Sequence, residues 1–136
     1  MTKHVKTILA VMCLMFVVTC VPTHAANTDF KFNLTSTASR ENLLGAATKS
    51  TDGDQHAYVR AEASKSNLAI KGATVNFRVR DNAGNYATTL ATCHDYTRKT
   101  MTYLRGKAVG GASYRLYSNV SSTNSYPVNV GGVWCP

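Results

Sequence analysis

The sequence predicts an all-β protein: a small, single-domain antiparallel β-sandwich of about seven strands behind an N-terminal signal peptide. Three observations carry that expectation. Apolar residues recur with period two, as in Thr74-Val75-Asn76-Phe77-Arg78-Val79-Arg80. Turn-forming clusters separate the runs, Asp81-Asn82-Ala83-Gly84-Asn85 being the strongest. After residue 25 the chain is rich in Ser, Thr, Asn and Ala and poor in long aliphatic side chains, which suits a thin sheet core.

The front end is read first because it sets the compartment. Lys3, His4 and Lys6 form a positive region, and an apolar run of about 15 residues follows to Val21, too short for a membrane span of roughly 20 residues. Pro22 interrupts any helix, and Thr23-His24-Ala25 ends in a small residue, so cleavage is placed after Ala25, with Ala26 as the neighbouring alternative. Residues 1–25 are thus the signal peptide and 26–136 a secreted domain. Val17-Val18-Thr19-Cys20 also resembles a lipoprotein box, which would anchor the chain at Cys20 instead; Thr19 fits that box poorly. Cleavage removes Lys3 and Lys6 and keeps all seven acidic residues, leaving thirteen basic side chains and a formal charge of +6.

Along the domain, Phe30, Phe32 and Leu34 alternate with Lys31 and Asn33 in a first strand, 29–35. Residues 39–47 read as irregular and then extended, because Gly45 interrupts a helix that Ser39 could cap. Tyr58 to Ala63 alternates again. Val75, Phe77 and Val79 face in, while Asn76, Arg78 and Arg80 face out. Tyr86 to Thr92 is the returning strand, and Lys99 to Leu104 puts Met101 and Tyr103 on one face. Tyr114 to Tyr117 is a strand, 118–125 a polar loop, and Tyr126 to Trp134 the last strand, with Trp134 as a core plug.

Two of four cysteines leave with the signal peptide, and Cys93 and Cys135 remain in an exported chain, where thiols oxidise. A Cys93–Cys135 disulfide is therefore expected. Closing a loop of about 43 residues, it would contribute roughly 4 kcal/mol.

Motifs for chemistry are weak. Cys93-His94-Asp95 holds three catalytic residue types, but neighbours on an extended chain point to opposite faces, so it reads as a turn. His56 and His94 lack metal-ligand spacing, and Asp52-Gly53-Asp54 lacks the later ligands of a calcium loop. Gly106 to Gly111 has its lysine in the wrong place for a phosphate loop. No catalytic residue, metal or cofactor is expected, and the protein is read as a non-enzyme.

The phenylalanines of the opening strand, Gly111-x-x-Tyr114-x-Leu116 and the closing Gly132-x-Trp134-x-Pro136 resemble small exported proteins of Gram-positive bacteria, families that are largely uncharacterised and in part bacteriocin-like. Cys135 departs from that pattern, which has serine or a similar polar residue there. The resemblance implies a secreted β-protein and carries over no catalytic residue.

Charge is the remaining signal. Arg78, Arg80, Arg98, Lys99, Arg105, Lys107 and Arg115, with Tyr103 and Tyr114, form the candidate binding face, and Tyr96 and Tyr117 are interleaved in the same stretch. Such a cluster attracts anionic cell-wall polymer, an anionic lipid surface, acidic glycans or a protein partner; secretion argues against nucleic acid as the physiological partner. The expected function is a non-enzymatic binder of an envelope component or extracellular partner. The alternatives are a bacteriocin-like toxin and a small secreted hydrolase.

Overall fold

The computed structural model describes residues 26–121 and 127–136. The expected signal peptide, residues 1–25, and Cys20 within it lie outside the described residues. Nine strands occur among those described: β1 (Thr28–Leu34), β2 (Arg40–Glu41), β3 (Ala47–Thr48), β4 (His56–Ala61), β5 (Val75–Asp81), β6 (Ala91–Cys93), β7 (Lys99–Thr102), β8 (Ser113–Val120) and β9 (Val128–Cys135). They form two antiparallel sheets. One runs β1-β9-β4-β7; the other runs β2-β8-β5-β6, with β3 also paired to β8. The protein is a small all-β sandwich. Among the described residues no helix is long and apolar enough to cross a membrane.

Strict alternation builds the core. Phe30, Phe32 and Leu34 of β1 are buried while Asp29, Lys31 and Asn33 are exposed. The two phenylalanines meet Phe77 of the opposite sheet, with ring centroids 5.4 Å and 6.1 Å away. Trp134, in register with Val59 on β4 and Thr28 on β1, is buried, as the sequence implied.

Both sides of the sandwich are sewn shut. On one side Ala87 N–H donates to Val79 in the five-stranded sheet (2.9 Å), and Thr89 N–H donates to Thr102 in the four-stranded sheet (2.8 Å). This crossing explains why Tyr86 to Thr92 is not the continuous strand the sequence suggested. Thr88 Oγ1 accepts the Val79 N–H at 3.0 Å, and Thr89 Oγ1 accepts the Thr102 N–H at 3.0 Å, so side chains replace the ladder where the segment changes sheets. Only Ala91–Cys93 remains a strand.

On the other side Asn42 closes the gap between β8 and the edge of β1. Its main-chain N–H donates to Leu116 at 2.9 Å, while its side-chain oxygen accepts Lys31 N–H at 2.9 Å and Leu44 N–H at 3.2 Å. A buried amide thus occupies an edge that would otherwise expose unpaired main-chain groups. Here residues 39–47 are two short strands around a turn.

A short helix, α1 (Leu68–Lys71), was not anticipated; Leu68 is buried, and Asn67 anchors the helix start by accepting the Asn129 N–H at 2.9 Å. Strand β8 extends to Val120, beyond its expected end; residues 122–125 of the expected polar loop and residue 126, the expected start of the last strand, lie outside the described residues.

The expected disulfide is not present. Cys93 and Cys135 are both thiols and are not at disulfide distance. The reason is parity. On β9, placing Trp134 in the core turns Cys135 to the outer face of its sheet, whereas Cys93 points inward from the edge of the other sheet. Cys93 Sγ donates to the Asp95 carbonyl at 2.9 Å, and burial pushes its thiol pKa up. We therefore expect reductant to leave the melting temperature unchanged. Thiol titration of the denatured chain beginning at Ala26 should give two equivalents. A drop in melting temperature on reduction would restore the cross-link.

Candidate anion-binding face

The site lies on the outer face of the five-stranded sheet. Alternation on β5 turns Asn76, Arg78 and Arg80 outward; alternation on β8 does the same for Arg115, Tyr117 and Asn119. Antiparallel register sets Asn76 opposite Asn119, Arg78 opposite Tyr117 and Arg80 opposite Arg115.

The turn after β5 adds a second aromatic wall beside Tyr117. Asp81 Oδ1 accepts Ala83 N–H (3.1 Å) and Asn85 N–H (2.9 Å), and Gly84, at φ 81°, supplies the left-handed residue that the reversal requires. The chain returns with Tyr86 bridged to Arg80. Arg78 Cζ then lies 4.4 Å from the Tyr86 ring centroid. Arg80 Cζ lies 4.8 Å from Tyr86 and 4.3 Å from Tyr117. Stacking of this kind contributes on the order of 0.5–2 kcal/mol per pair.

Tyr117 is held in place by Glu41, whose Oε2 accepts its hydroxyl at 3.1 Å; burial first, and this carboxylate second, raise the phenol pKa, so the ring stays neutral. The resulting groove, about 240 Å³, is lined by Ser39, Asn76, Arg78, Arg80, Tyr86, Leu90, Tyr117 and Asn119.

The carboxylates hold groups other than Arg78 and Arg80, Glu41 among them from beside the Tyr117 wall. Asp81 holds Lys107 at 2.8 Å, Asp95 holds Lys99 at 3.0 Å, Glu41 holds Arg115, and Asp29 and Glu62 hold Lys65. Asp54 accepts the Tyr58 hydroxyl and contacts His56 Nδ1, both at 3.0 Å. Among the described residues none of these ion pairs includes Arg78 or Arg80, and the buried Nε of each carries no hydrogen bond. Among the described residues, two guanidiniums thus sit side by side without a salt-bridged acidic partner, in a groove walled by aromatic rings.

The nine residues of the sequence-derived face do not form one surface. Arg78 and Arg80 are brought together. Lys99, Lys107 and Arg115 are drawn into ion pairs. Arg98 stacks on Tyr58, 4.7 Å away, on the other sheet, and Arg105 is exposed on a turn. Tyr103 and Tyr114 are buried core residues in edge contact at 5.2 Å, and Tyr114 Oη donates to the Lys107 carbonyl. Tyr86, Leu90, Ser39, Asn76 and Asn119 were missed as site residues. The asparagines could have been found from parity with Arg78, but Tyr86 depends on the hairpin's return path.

At Cys93-His94-Asp95 the Cys93 thiol donates to the Asp95 carbonyl, and His94 Nε2 lies 3.9 Å from Asp95 Oδ2. Asp95 accepts from Thr97 and Lys99, which hold its carboxyl far below the usual range, with Thr97 the larger influence. Among the described residues no group of three or more His, Cys, Asp or Glu is placed to hold a metal ion.

Asp81 is likewise depressed, chiefly by the hydrogen bond from Lys107. A carboxylate with a lowered folded-state pKa stabilises the protein above its unfolded value of 3.8, and that contribution is lost as pH falls through the folded value. We expect a melting temperature that is flat above about pH 5 and declines below pH 4, with Asp81→Asn flattening part of that decline. A thermal-denaturation series across pH 2–7 checks it; an unchanged slope in Asp81→Asn would show the pair to be inert.

Comparison with protein-family models, curated proteins and solved structures finds no match to this chain.

Proposed function

We propose that the protein is an exported, non-catalytic binding module that holds an anionic group of a cell-envelope component or other extracellular partner between Arg78 and Arg80. The single observation that carries this reading is the pair of guanidiniums stacked on Tyr86 and Tyr117 without a salt-bridged carboxylate partner among the described residues. Stacking fixes each guanidinium plane before a ligand arrives, which lowers the ordering cost of binding. A planar fork then offers paired N–H donors to a carboxylate, sulfate or phosphate.

The test is retention on anionic polymers and purified walls at low and high salt, for the parent protein and for the double variant Arg78→Ala/Arg80→Ala. Binding that weakens with salt and disappears in the variant supports the reading; retention that survives in the variant removes it.

A further inference from the structure

The groove contains more than positive charge. We propose that its ligand is an acidic saccharide, a chain whose sugar units carry both hydroxyl groups and carboxylates. This rests on the anion-binding reading above and goes further by naming the ligand class.

The argument starts from the asparagine pair at one end of the groove. Asn76 Oδ1 accepts the Thr92 hydroxyl at 3.0 Å, which leaves its amide N–H groups as the side chain's offering to a ligand. Asn119 is committed the other way. Its Nδ2 donates to the Thr37 carbonyl at 3.4 Å, which leaves its oxygen as an acceptor. These two residues face each other across β5 and β8 and line the groove together with the Ser39 side chain. One end therefore presents a donor, an acceptor and a hydroxyl; the other presents two guanidiniums.

Phosphate or sulfate alone leaves part of this arrangement unmet. A fully ionised anion accepts hydrogen bonds and has no proton for the Asn119 oxygen. Sugar hydroxyls both donate and accept, so they satisfy Asn76, Asn119 and Ser39 at once, while a carboxylate on the same chain takes the arginine fork. Tyr86 is 50% exposed and Leu90 49% exposed, giving an apolar rim for the C–H faces of a sugar ring. The distance from residue 76 to residue 80 along the strand is about 13 Å, room for a short run of sugar rings.

The probes are an oligogalacturonate, a polyphosphate of matched charge, a neutral oligogalactose and phosphatidylglycerol vesicles, each titrated against the purified protein. We expect the oligogalacturonate to bind about tenfold or more tighter than polyphosphate, with the neutral sugar and the vesicles weaker still. Asn76→Ala/Asn119→Ala should weaken oligogalacturonate binding roughly tenfold, the equivalent of one or two lost hydrogen bonds, and weaken polyphosphate binding less, since only the Asn76 N–H can serve a phosphate oxygen. Should that variant fold poorly, amide NMR shifts in the parent serve instead. They should include residue 119 as well as 76–80, 86 and 117 with oligogalacturonate, and spare 119 with polyphosphate.

Equal affinity for oligogalacturonate and polyphosphate, or a preference for vesicles, overturns the saccharide assignment while leaving the anion site standing. Undiminished binding of every anion by Arg78→Ala/Arg80→Ala instead overturns the anion site itself.

Discussion

Gly132→Ala should destabilise the domain by about 3 kcal/mol or more and lower its melting temperature by roughly 12 °C or more. Gly132 lies in the middle of β9, in register with Phe30 on one side and Ala61 on the other. A methyl group there would fall on the Arg60 carbonyl oxygen and 2.9 Å from Ala61 Cα. Both obstacles are main chain of β4, so no rotamer change relieves the clash. Relief requires β4 and β9 to separate, and β9 joins β4 to β1 within its sheet. Urea denaturation of the variant measures the loss; a midpoint within experimental error of the parent would show that the strands part cheaply.

The second large effect is on binding. Replacing both Arg78 and Arg80 by alanine should weaken anion binding a hundredfold or more, since hydrogen bonds to charged groups contribute roughly 1.5–3 kcal/mol each. Arg78→Lys/Arg80→Lys separates charge from shape. Lysine keeps the charge but loses the planar fork and the stacking, so this variant should retain weak, salt-sensitive binding, about tenfold below the parent. If the lysine variant binds as well as the parent, only local positive potential matters, and the tyrosine stacks are incidental. Both substitutions lie on an outer face, so the fold should survive them with a modest loss from the missing stacks.

Period-two reading made much of the architecture legible. It placed Phe30, Phe32, Val75, Phe77, Val79 and Trp134 inside and Arg78 and Arg80 outside, because parity along a strand is a local property. The same parity held two lessons the sequence reading did not draw. Tyr114 shares its phase with the buried Leu116, and Tyr103 with the buried Met101, so both tyrosines belonged to the core. Cys135 is out of phase with Trp134, so the two could not both turn inward. Other features depend on contacts distant in sequence. Arg115 meets Glu41 from 74 positions away, and Lys107 meets Asp81 from 26. No local pattern distinguishes a lysine paired in this way from one left to a ligand. The groove was therefore half visible: its charge could be read along β5, but its walls required the fold.

The segment from Tyr86 to Thr89 brings two roles into one short piece of chain, since Tyr86 walls the groove and its neighbours Ala87 and Thr89 hydrogen-bond to opposite sheets. A guest resting against Tyr86 would therefore tighten the seam of the sandwich without touching its interior. Occupancy of the outer surface would then register as resistance to heat, and a library of acidic oligomers could be ranked by melting curves alone.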